Sequence, residues 1–188
     1  QIEAVDESVG RIRKAIKDRG IEDNTIVIYF SDQGGLYSNY PLRGCKLIDD
    51  TMAEGGIRVP LAIYYPGVTK KGSVCQTPVQ ALDFFPTFME IATGKKYKNK
   101  ELDGESMPLL KGKKMKERNL YFFRAYNTDQ YAAIINGDWK LIKYHSGKYQ
   151  LYNLRDDISE TTDLQNVYPE RFEKMKKDLR NWETNVVP

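Results

Sequence analysis

The 188-residue sequence is poor in two side chains on which much metal and acid–base chemistry depends, with one histidine and two cysteines. Two cysteines cannot build a disulfide framework, and Cys45 and Cys75 lack any zinc-site spacing. No apolar run approaches the roughly 18 residues of a membrane-spanning helix. The opening QIEAVDESVGRIRK has no apolar core behind basic residues, so it is not a secretory signal. Neither sign of charge dominates: 29 Lys+Arg stand against 26 Asp+Glu, a formal net charge of +3. The densest basic run, KGKKMK at 111–116, has no interleaved aromatics and reads as a solvated loop rather than a nucleic-acid surface. What is present is the balance of a globular protein, 40% hydrophobic and 29% charged. The length suits one domain, or one and a small second, with a core that needs no staples.

Two periodicities divide the chain. Ile2, Val5, Val9, Ile12 and Ile16 recur at spacings of three and four, the stripe of an amphipathic helix, and Gly20 stands where such a helix takes a left-handed residue. No N-cap precedes the stripe, which suggests a chain cut from something longer. Residues 24–30 (NTIVIYF) and 61–65 (LAIYY) are apolar on both alternating faces, as strands covered on both sides must be. Strand, loop and helix alternate, the pattern of an α/β fold with a largely parallel sheet. Asp83 can cap a helix with Pro86 in its first turn, with Phe85, Phe88, Met89 and Ala92 as its buried side and Gly94 as its end. Residues 95–119 are rich in Lys and Gly and poor in apolar side chains, and read as a long connection. The period then falls to two. Residues 120–126, 130–135, 139–144 and 149–153 predict an antiparallel meander, with Asn136-Gly137 as a tight-turn signal. Pro169 opens a last helix that carries Phe172, Met175, Leu179 and Trp182 on one face. The expected organisation is an α/β part over 1–95, a connection over 96–118, and a four-stranded antiparallel sheet with a C-terminal helix over 119–188.

In open α/β sheets ligands bind beyond the carboxyl ends of strands, and SDQGG at 31–35 lies at that end of the first buried strand. Asp32 offers a carboxylate and Gln33 an amide carbonyl, hard oxygen donors suited to Ca²⁺ or Mg²⁺ rather than zinc. Taken alone, an Asp at a strand end is more often a turn residue or a helix cap. Lys46, between the two buried strands, can neutralise an anionic substrate oxygen or protonate a leaving group, or can be a surface lysine. Glu54-Gly55-Gly56 reads as a turn, and Arg58 as an ion-pair partner for a nearby carboxylate.

The ordered blocks DNTIVIYFSDQGG, PLRGCK, EGGIRVPLAIYYPG, LDFFPTFMEIATG, LDGESMPLL, GDWKLI and YQLYNLRDDISETTDL resemble the C-terminal part of a type I sulfatase, of the alkaline-phosphatase-like superfamily. The resemblance runs over nearly the whole chain. It implies the C-terminal part of a mixed or parallel alkaline-phosphatase-like sheet with helices, followed by a small α+β subdomain. It also implies hydrolysis of sulfate esters, commonly of carbohydrates, by a formylglycine whose hydrate attacks sulfur. A Ca²⁺ (or Mg²⁺) is held by an Asp-Asn pair in the family. By resemblance Asp32 is a metal ligand and Gln33 takes the Asn position, one methylene longer. Lys46 falls on the lysine that contacts the sulfate group and stabilises charge on its oxygens and on the leaving oxygen.

The departure from the family pattern is a missing nucleophile. Formylglycine is made within a C/S-x-P-S/A-R motif, but Cys45 is followed by Lys-Leu-Ile and Cys75 by Gln-Thr-Pro. The family's upstream Asp pair and catalytic histidines are absent too, and His145, within the meander, matches none of them. The expectation is therefore a C-terminal portion that pairs with the N-terminal part of its own catalytic domain and is inactive alone. Export to the periplasm, lysosome or outside follows from the resemblance only. Arg124, Tyr126 and His145 are candidates for touching a sulfated glycan, or are structural. Two rivals stand beside this reading: a phosphodiesterase or phosphonate hydrolase of the same superfamily, and a non-catalytic binding module descended from a sulfatase.

Overall fold

The structure is a computed structural model that describes residues 2–47, 50–126 and 129–186, with the side chains of residues 126, 129 and 130 outside that description. The apolar stripe forms helix α1 (Ile2–Asp18), and Gly20 adopts φ +65° behind it. None of the residues of α1 is buried, and Ile2, Val5 and Ile12 face outward. Strand β1 (Val27–Phe30) begins after a 3₁₀ turn at Glu22–Asn24, later than the apolar run suggests. A single helical turn, α2 (Glu54–Ile57), precedes strand β2 (Leu61–Tyr64). β1 and β2 pair antiparallel, Val27 opposite Tyr64 and Phe30 opposite Leu61, and among the described residues no two strands pair parallel. Nor are the two strands covered on both sides, since Tyr29, Phe30 and Tyr64 are exposed.

Helix α3 (Phe84–Thr93) ends at Gly94, which takes φ +66°. Its orientation differs from the expectation. Pro86 and Thr87 are buried, while Phe85 and Phe88 are exposed. The cause is polar. Asp83 makes no side-chain cap on α3; its buried carboxylate instead accepts the N–H groups of Gln80 (2.9 Å) and Glu105 (2.8 Å) and pairs with Arg118. The Thr87 hydroxyl accepts the N–H of buried Met107 at 3.0 Å. The Lys- and Gly-rich connection is thereby tied down on the Asp83–Thr87 side. The aromatic side is left to Phe30, Phe84 and Phe88, with Phe84 stacked on Phe88 and meeting Phe30 edge to face.

The second half forms as the period of two requires. Strands β3 (Asn119–Tyr126), β4 (Asp129–Asn136), β5 (Trp139–Lys143) and β6 (Tyr149–Asn153) make a four-stranded antiparallel sheet in chain order. Asn136 pairs with Trp139, so the tight turn is Gly137-Asp138, one residue beyond the signal, with Gly137 at φ +57°. Alternation sends Ala132, Ile134, Leu141, Tyr149 and Leu151 to one face. There they pack on Met175 and Leu179 of helix α4 (Pro169–Val186), with Phe172 and Trp182 alongside. The opposite face, with Ala133, Ile142 and Tyr152, packs on Met52 and Ala53 just before α2. The sheet is therefore a filled middle layer between α4 and the segment that leads to β2.

Candidate functional site

Asp32 stands two residues past the end of β1, on a loop fastened to α2. The Gly34 N–H donates to Gly56 O at 3.0 Å, and Ser31 Oγ donates to Gln33 O at 2.8 Å. The approach is close enough that a Cβ on Gly34 would lie 1.7 Å from Gly55 O, so no other residue fits. The Lys46 loop rests on the same support. Gly55 N–H donates to Arg43 O at 2.6 Å and Lys46 N–H to Gly35 O at 2.9 Å. Asn39 closes this loop from inside, its amide donating to the carbonyls of Gly35, Tyr37 and Gly44 and accepting the N–H of Gly35.

These loops bring together the two residues singled out in the sequence. Lys46 Nζ lies 2.6 Å from Asp32 Oδ2, with the lysine largely covered and the aspartate side chain 76% exposed. The ammonium holds the Asp32 carboxyl below its ordinary range by hydrogen bond and charge, against a smaller opposing effect of desolvation. Gln33 is exposed beside it. An ionised carboxylate and an amide carbonyl on an open loop fit a hard divalent cation as two of its six to eight oxygen ligands. Among the described residues no group of three or more His, Cys, Asp or Glu completes such a site.

The other candidates divide. Arg124 on β3 reaches the Lys46 loop, with Nη2 at 3.4 Å from Leu47 O and its guanidinium 5.9 Å from the Tyr131 ring centroid. His145 is exposed in the turn after Tyr144. The side chain of Tyr126 lies outside the described residues. Arg58 pairs with a carboxylate as expected, Nη1 lying 3.3 Å from Glu54 Oε2.

Two networks escape the sequence. Arg43 donates from Nη1 to the Tyr152 hydroxyl (3.0 Å) and from Nη2 to the Tyr144 hydroxyl (3.2 Å), joining the Lys46 loop to the sheet. Burial pushes both phenols up against the opposing charge of Arg43, so they stay protonated. Below them Lys140, Glu54 and Glu160 form a buried cluster, with Lys140 Nζ at 2.9 Å from Glu54 Oε1 and 3.0 Å from Glu160 Oε1. A clue lies in the strand itself. In WKLI, alternation puts Lys140 on the same covered face as Ile142, where a lysine persists only with partners.

Against known proteins, the family model described as N-sulphoglucosamine sulphohydrolase, C-terminal, matches residues 47–185. A sulfatase of Formosa agariphila (strain DSM 15362 / KCTC 12365 / LMG 23005 / KMM 3901 / M-2Alg 35-1) is 36% identical over 214 residues, covering 96% of this chain and 38% of the relative. An N-acetylglucosamine-6-O-sulfatase of Bacteroides thetaiotaomicron is 28% identical over 189 residues, 94% of this chain and 32% of the relative. The crystal structure of Ps i-CgsB in complex with k-i-k-neocarrahexaose superposes with TM-score 0.84 at 33% identity, over 96% of this chain and 41% of that one. The chain thus spans well under half the length of the proteins it matches.

Proposed function

Because the chain belongs to the sulfatase family, of which it carries the C-terminal domain, we propose that it is part of an enzyme that hydrolyses the sulfate esters of a carbohydrate. The observation that carries this reading is the Lys46–Asp32 contact at 2.6 Å, on an open loop just past the end of a β-strand. The carbohydrate part is supported by the names of relatives, an N-acetylglucosamine sulfatase and a protein bound to a neocarrahexaose.

Lys46 neutralises the sulfate oxygens and the charge that grows on the leaving oxygen as the ester bond breaks. Asp32, with Gln33, would hold Ca²⁺ or Mg²⁺. A divalent cation there supplies Lewis-acid polarisation of the sulfate. Asp32 would then serve two cations, with Lys46 keeping it ionised and hydrogen-bonded. The formylglycine nucleophile of the family has no C/S-x-P-S/A-R motif among these 188 residues. It would come from outside them, and the isolated chain is inactive. Among the described residues no helix is long and apolar enough to cross a membrane. We place the working enzyme in an exported compartment, as the resemblance implies.

The test is a parallel assay of sulfate, phosphate and phosphonate esters with the native protein that carries this chain. Preferential turnover of sulfate, weakened by Lys46→Ala, is expected. Preferential turnover of phosphate or phosphonate, or sulfate turnover indifferent to Lys46, refutes the assignment.

A further inference from the structure

The buried cluster at Lys140 has no part in the chemistry above, yet its contacts lead toward the site. Lys140 is fully buried on β5 and sits between the carboxylates of Glu54 and Glu160, both buried as well. Glu160 Oε2 also accepts the backbone N–H of Glu54 at 2.7 Å, so the first residue of α2 is gripped by side chain and backbone together. Glu160 itself holds φ +53°, a left-handed conformation rare for a residue with a Cβ. Asp157 steadies that turn by accepting the N–H groups of Thr161 (2.7 Å) and Thr162 (2.8 Å).

From α2, backbone hydrogen bonds run to both site loops: Gly56 O accepts Gly34 N–H beside Asp32, and Gly55 N–H donates to Arg43 O before Lys46. Apolar side chains of similar volume would fill this space without desolvating three charges. What an ammonium between two carboxylates adds is direction, because hydrogen bonds fix where the Glu54 backbone stands and apolar contact does not. Arg58, 3.3 Å from the other Glu54 oxygen, supplies the second positive charge.

We propose that Lys140, together with Glu54 and Glu160, is a positioning residue for the Asp32–Lys46 pair, fixing α2 as the shared support of both loops. The inference deepens the sulfatase reading and rests on it only for its kinetic arm.

The test uses the native protein with two variants. Lys140→Met/Glu160→Gln leaves one buried carboxylate facing Arg58. Glu54→Gln keeps volume and the backbone donation to Glu160, and decides alone should the first fail to fold. Expected is amide exchange at Gly34 and Gly55 roughly tenfold faster or more, with the β4–β5 ladder amides unchanged. On a sulfate ester, kcat falls about 10- to 100-fold and KM moves much less. Wild-type exchange at Gly34 and Gly55 in a folded variant overturns the proposal, whatever the activity. Loosened exchange in a protein whose wild type cleaves no sulfate ester sinks the sulfatase reading and leaves the support role standing.

Discussion

Asp32 and Lys46 form an ion pair at the edge of solvent, where such pairs add little stability. The pair is therefore expected to matter for chemistry and hardly at all for folding. Lys46→Ala in the native protein should lower kcat/KM on a sulfate ester by about 10²- to 10³-fold, the scale of a lost electrostatic donor, while the melting temperature stays nearly unchanged. Steady-state kinetics beside a calorimetric melt separates the two. Asp32→Ala should lower metal occupancy, read by elemental analysis, and full occupancy in the variant would contradict the ligand role. The 188-residue chain alone, offering two oxygen donors where Ca²⁺ takes six to eight, should bind that ion weakly. Submicromolar affinity by calorimetric titration would refute this.

At the scale of elements, α4 is held to the sheet by few side chains. Met175 and Leu179 are its buried residues, and Leu179 is fully enclosed. Leu179→Ala should cost about 2–5 kcal/mol, measured by urea unfolding, because the facing strands cannot close the cavity. This helix and the meander were legible in the sequence because their signals are local: Phe172, Met175, Leu179 and Trp182 recur at helical intervals, and the short strand runs are parted by turn residues such as Asn136-Gly137. The pairing of β1 with β2 was not legible, since an unbroken apolar run gives no direction to its partner. The facing of α3 was missed for another reason. Asp83 and Thr87 satisfy backbone donors more than fifteen residues away, and such polar debts are set by the fold, not by spacing. For the site, chemistry marked Asp32 and Lys46, but the cluster at Lys140 joins residues 86 and 106 positions apart in sequence, beyond any local pattern.

Across the whole molecule, the buried charges give folding a pH signature. Burial raises the Glu160 carboxyl above its ordinary value, against the opposing pull of Lys140. The folded chain thus holds this proton more tightly than the unfolded one. The stability it contributes is complete below the ordinary glutamate range and is lost as pH rises through the raised value. Glu160→Gln should flatten the fall in melting temperature over that window. An unchanged slope would assign the pH dependence to another group. The aromatic arrangement on the α4 side of the sheet has an optical consequence. Both tryptophans of the chain lie there: Trp182 stacks on Tyr121 with ring centroids 4.9 Å apart, and Trp139 meets Tyr168 and the guanidinium of Arg171. Intrinsic tryptophan emission will therefore follow the docking of one helix and stay silent about the loops around Asp32, so a fluorescence titration with ligand needs a probe placed there by design.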